Sequence, residues 1–145
     1  MTRTVLAVAV ILGGCASVQP PAPVSEPGSA PLSGTAPTES AAVASLIHVA
    51  RADVGSGRLA HAAASLERAL RIEPRNPRLW QELARVRLMQ GDYAQAESIA
   101  ARSNAWAGND EWLRAENWRL IAQARDARGD AEGARAALAA ANRQR

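Results

Sequence analysis

An internal repeat limits what this chain can fold into more than any other feature. The stretch from Arg78 to Ala101 carries Trp80-x-x-Leu83-Ala84, then Gly91-Asp92-Tyr93, then Ala96. Moving back 34 residues gives Leu46-x-x-Val49-Ala50, Gly57-Arg58-Leu59 and Ala62. Moving forward 38 gives Trp118-x-x-Ile121-Ala122, Gly129-Asp130-Ala131 and Ala134. One helix–turn–helix unit is thus written three times, and such a unit buries its apolar face only by stacking on its neighbours. A length of 145 residues allows one modest domain. With 3% aromatics, no Phe and abundant Ala, close-packed helices are favoured over a thick sheet core.

The spacing predicts how each hairpin packs. Ala50/Ala62, Ala84/Ala96 and Ala122/Ala134 are each 12 residues apart, one alanine per helix, at the point where two helices approach closest. Leu46, Val49, Leu66 and Leu70, and then Trp80, Leu83 and Leu88, are expected to fill the space around the crossing. Gly57, Gly91 and Gly129 end the first helices, where a left-handed cap needs no Cβ. Pro74 follows a second helix, and Pro77 suits the first turn of the next.

The second repeat departs from the pattern. Ser103 stands where the other repeats have Ala69 and Ala141, Gly108 replaces Pro74, and four extra residues precede the third repeat. The second helix of this repeat is expected to end near Ala107, with Asp110 capping a longer helix that runs to about Arg128. The first helix, about Ser40 to Gly55, is apolar on two faces: Leu46, Val49 and Ala50 fit the packing pattern, while Val43, Ile47 and Val54 form a second stripe. That second stripe leaves open partner recognition, self-association or coverage by the preceding segment.

This pattern resembles the tetratricopeptide repeat (TPR) over roughly residues 43 to 142. The resemblance implies an all-α solenoid of about six helices in a domain 40–145, with repeats at about 43–76, 77–110 and 111–145. A generic Ala-rich bundle would not repeat three times at matched offsets. First helices line the concave surface in TPR folds, which implies a partner groove of Ile47, Arg51, Val54, Arg78, Gln81, Arg85, Met89, Arg119 and Gln123. Arg51, Arg85 and Arg119 would form a ladder able to grip a carboxylate-rich segment. The alternative is that they are ordinary solvated arginines, some paired to Glu82 or Glu116. The chain lacks the full Lys and Asn set of carboxylate-clamp TPR domains. Trp106 and Trp112 flank the inserted turn, either packing together to close it or serving as interface anchors. The Ala-rich last helix around Leu138 has no added polar cover, so that solenoid end is a further candidate contact.

Residues 1–14 read as a secretion signal, with Arg3 before the apolar run Val5 to Leu12, which is too short to span a bilayer. Leu12-Gly13-Gly14-Cys15 resembles the bacterial lipobox, which implies that Cys15 becomes a fatty-acylated N-terminus. Ala16 after it, rather than Asp, implies the periplasmic face of the outer membrane. Residues 15–39 hold six prolines among Ser, Ala, Gly and Thr, the composition of a disordered tether. At ~3.1 Å per residue its full reach is about 75 Å.

No catalytic constellation stands out. Cys15 would be consumed by the lipidation that the lipobox resemblance implies, and His48 and His61 have no supporting ligand cluster. Gly55-Ser56-Gly57 is a turn without the lysine or preceding strand of a phosphate loop, and Asp110-Glu111 suits a helix start. The reading is therefore not an enzyme, with no metal and no cofactor beyond the lipid on Cys15. A formal charge of +3 without a basic run or stacking platform gives no reason to expect nucleic acid.

The layout of lipobox, proline-rich tether and short terminal TPR domain resembles the LpoP-type activators of peptidoglycan synthases, as does the stretch Glu116 to Arg125. This implies an outer-membrane lipoprotein that binds a class A penicillin-binding protein. Two alternatives stay open: an assembly factor for another envelope machine, such as a pilus secretin or outer-membrane protein insertion complex, and a self-associating structural spacer.

Overall fold

The computed structural model describes residues 40–144. The expected signal, the Cys15 lipidation site and the 15–39 tether lie outside them. The described chain is all-α: α1 (Ala41–Gly55), α2 (Leu59–Ile72), α3 (Pro77–Met89), α4 (Tyr93–Trp106), α5 (Glu111–Ala127) and α6 (Ala131–Asn142). The helices pack as hairpins α1/α2, α3/α4 and α5/α6, and each hairpin stacks on the next through α2/α3 and α4/α5.

The turns follow from local chemistry. Gly91 has φ 82°, Asp92 N–H reaches back to the Arg87 carbonyl at 2.9 Å, and α3 ends in a left-handed cap that closes its last carbonyls. The same cap recurs after α1 and α5, where Arg58 donates to Asp53 and Asp130 to Arg125. Asn76 caps α3 through its side chain, with Pro77 in the first turn. Asp110 caps α5 by accepting from Leu113 N–H, and α5 runs to Ala127, the elongated helix that the insertion predicts.

Small residues bring the hairpins together. Ala62, Ala84 and Ala96 have no exposed surface, and Ala50, Ala122 and Ala134 are buried too. Around them Leu66, Leu79, Leu113 and Ile121 are fully enclosed, each contributing about 1.5–3 kcal/mol of burial.

Two expectations about the first helix are corrected. Val43, Ile47 and Ala50 face the core, in one cluster with Leu66, Leu79 and Leu83, whereas Val49 is 44% exposed. Leu83 and Ile121, which occupy the matching place in later repeats, are buried. Each of those repeats has a preceding hairpin beside it, and α1 has none among the described residues.

The α1 start is fastened to the α2 end. Ser40 N–H donates to Glu73 Oε1 at 3.0 Å, and Asn76 Nδ2 donates to Oε2 at 2.8 Å. The Asn76 amide first, and then the Ser40 N–H, hold the Glu73 carboxyl below the ordinary glutamate range. A lowered folded-state value adds stability above the unfolded value and loses it as pH falls through the folded one. Glu73→Gln is therefore expected to lower unfolding free energy at neutral pH by less than about 1 kcal/mol, because the site is largely solvated. The gap from the parent should close below about pH 4, read from urea unfolding at neutral and acid pH; a gap independent of pH would contradict the assignment.

Candidate docking groove

The first helices of the three hairpins enclose one cleft of about 530 Å³. Arg51 and Val54 come from α1, Arg85, Val86, Leu88 and Met89 from α3, and Glu116, Arg119, Leu120 and Gln123 from α5. The largely buried Val86, Leu88 and Leu120 make an apolar floor.

The arginine ladder is present but laced with carboxylates. Arg51 pairs with Glu82 at 3.2 Å, Arg85 lies 3.8 Å from Glu116, and Arg119 also bonds Glu116. The first two pairs run from one hairpin to the next, so the ladder clamps the stack along its concave side. Such pairs are worth about 0–1 kcal/mol each when solvated. The Arg51 side chain is 69% exposed, so its guanidinium is available to exchange Glu82 for a carboxylate on an incoming chain.

Of the nine residues expected in the groove, Arg51, Val54, Arg85, Met89, Arg119 and Gln123 line the cleft. Ile47 lies in the core instead, and Gln81 is 6% exposed with Nε2 unpaired among the described residues. Arg78 sits at the start of α3 and pairs with Asp110 at 3.4 Å, outside the cleft. Val86 and Leu120 line the cleft without any sequence signal that singled them out; both follow the alternation of a helix with apolar residues on two faces.

Trp106 and Trp112 do not close the inserted turn by burial: they are 44% and 61% exposed. Polar contacts hold that turn. Arg114 donates to the Gly108 carbonyl, and behind it the fully buried Asn117 donates to Ser103 Oγ at 2.7 Å and to Asn104 Oδ1 at 3.0 Å. Ser103 Oγ in turn donates to the Pro77 carbonyl at 2.7 Å, which ties α3, α4 and α5 together. The departure of Ser103 from the alanine pattern thus marks a buried hydrogen-bond hub. His48 and His61 are both exposed, and no cluster of potential metal ligands exists among the described residues. No described helix is long and apolar enough to cross a membrane.

Comparison with known proteins agrees with this architecture. A tetratricopeptide-repeat family model matches residues 53–118. A solved structure described as the globular C-terminal domain of P. aeruginosa LpoP is similar at 48% identity, with a TM-score of 0.69 over 70% of this chain and 96% of that one. A search of curated protein sequences finds no match.

Proposed function

We propose that this chain, which belongs to the family of the P. aeruginosa LpoP globular domain and carries a TPR fold, is a non-catalytic docking module that activates a class A penicillin-binding protein. The 48% identity across nearly the whole of the LpoP domain carries this reading. The concave cleft supplies the docking face, with an apolar floor for a partner side chain and exchangeable arginines for partner carboxylates. Cys15 anchors the chain by lipid to the periplasmic face of the outer membrane, and residues 15–39 give the domain its reach.

Activation requires differential affinity. The domain binds the active conformation of the synthase more tightly than the inactive one, and a tenfold population shift needs about 1.4 kcal/mol of that preference. Adding purified domain to the purified synthase is expected to raise glycan polymerisation or crosslinking several-fold. Neither binding nor any change in rate would reject the proposal.

A further inference from the structure

On the concave side, α3 and α5 each carry a glutamate that looks back along the stack and an arginine, three residues later, that looks forward. On α3, Glu82 takes Arg51 of the hairpin before it at 3.2 Å, and Arg85 reaches Glu116 of the hairpin after it at 3.8 Å. On α5, Glu116 looks back in the same way, and Arg119 holds the forward place. No hairpin follows α6 among the described residues, and Arg119 folds back onto Glu116, which thus serves two arginines. Two helical turns before Arg85, Arg78 also looks forward and pairs with Asp110 at the start of α5 at 3.4 Å. The residue two turns before Arg119 is Trp112, and it is 61% exposed.

Trp112 and Arg119 border an open cavity of about 670 Å³, together with Glu111, Ala115, Glu116 and Gln144. Arg78 and Arg85 meet the first half of α5 at the corresponding place one hairpin earlier, so the cavity lies where the start of a fourth first helix would rest. Trp106 flanks the same turn but is placed differently. Arg75, in the turn between α2 and α3, lies 5.2 Å from its ring centroid, so that ring is turned back into the stack.

We propose that this open end of the stack takes an acidic helix of the partner protein, laid on α5 as α5 is laid on α3. A carboxylate of that helix meets Arg119, and an apolar side chain about two turns nearer its start meets Trp112. Charge selects the occupant. Both internal rungs of the ladder close with a glutamate from the next first helix, and the third rung has none among the described residues. An incoming carboxylate gives Arg119 a forward partner and leaves Glu116 to Arg85, so that each rung becomes a separate charge-assisted pair. A second copy of this chain does not fit, because its α1 carries His48 three residues before Arg51, in the place of Glu82 and Glu116. Tryptophan and arginine are also the side chains that most often anchor protein interfaces. The contact rests on the docking reading above and extends the cleft, with which it shares Glu116 and Arg119. It adds Trp112 and the helical, acidic character of the partner segment.

The test uses the domain 40–145 and the purified synthase. All described helices fall in one unit, and the similar LpoP domain is itself a globular domain solved without the rest of its chain. Binding would be measured for the parent, Trp112→Ala, Arg119→Glu and Trp106→Ala, with the unfolding midpoint checked for each. Trp112→Ala and Arg119→Glu are each expected to weaken binding roughly tenfold or more. Trp112 carries the discrimination because it lies outside the cleft, and Trp106→Ala should bind like the parent. A photo-crosslinking residue in place of Trp112 should join the synthase at a helical segment that contains Asp or Glu. Parent-level binding by Trp112→Ala, equal weakening by Trp106→Ala, or a crosslinked segment without a carboxylate overturns this proposal and spares the docking reading. Absence of binding by the parent overturns both. Self-association of the parent that Trp112→Ala abolishes also overturns it, because this end then meets a second copy.

Discussion

Replacing Asn117 with alanine is expected to cost the domain about 2–3 kcal/mol of unfolding free energy. The amide is fully buried and donates to both Ser103 and Asn104, so the variant loses two hydrogen bonds and leaves a small void. The cost stays below the upper range for buried networks for one reason. Asn117 Oδ1 has no partner among the described residues, so deleting the side chain also removes an unsatisfied acceptor. Ser103→Ala should cost about 1–1.5 kcal/mol, since it removes the bond to the Pro77 carbonyl. The double variant should cost about 1 kcal/mol less than the sum, because the two residues share one bond. Urea unfolding of the four proteins measures this cycle. A loss under about 1 kcal/mol for Asn117→Ala would show that the hub contributes little, and strict additivity would show that the two residues act independently.

Reversing charge at the mouth of the cleft should abolish activation while sparing the fold. Arg51, Arg85 and Arg119 against Glu82 and Glu116 give the lining a net charge of +1. Arg51→Glu/Arg85→Glu leaves one arginine against four glutamates, a net charge of −3. A partner segment held by its carboxylates would then be repelled along the length of the cleft, and synthase activation is expected to fall more than about tenfold. The ion pairs removed are solvated, so stability should fall by no more than about 1 kcal/mol per site. Arg135→Glu, on the exposed side of α6, serves as the control for charge alone. Full activation by the double variant would remove the cleft from the proposed mechanism.

Much of the architecture was legible in the chain because helical hairpins are decided locally. The alanine pairs 12 apart fixed where helices cross, the glycines fixed where first helices end, and Asp110 with the four-residue insertion fixed the longer α5. Residues such as Arg51, Arg85, Arg119 and Gln123 could be assigned to the concave side because a repeated register carries one face of a helix from hairpin to hairpin. The register misled where a neighbour was missing or added. Val49 matches Leu83 and Ile121 in register but lies exposed, with no hairpin before it among the described residues, while Ile47 and Gln81 are enclosed in the stack.

Polar contacts between repeats kept the period in one case, since Arg51–Glu82 recurs 34 residues on as Arg85–Glu116, but the Ser103–Asn117 contact has no counterpart in the other repeats. Arg51 with Glu82, and Ser103 with Asn117, meet only after the hairpins have stacked, and nothing in their local sequence requires the encounter. By itself, then, the sequence determined the number of hairpins, their ends and their close-approach points, which depend on side-chain size and backbone freedom within a few turns. Tertiary structure alone decided which apolar stripe is covered and which arginines stack on Trp80 and Trp106, because those outcomes depend on the helix that arrives next.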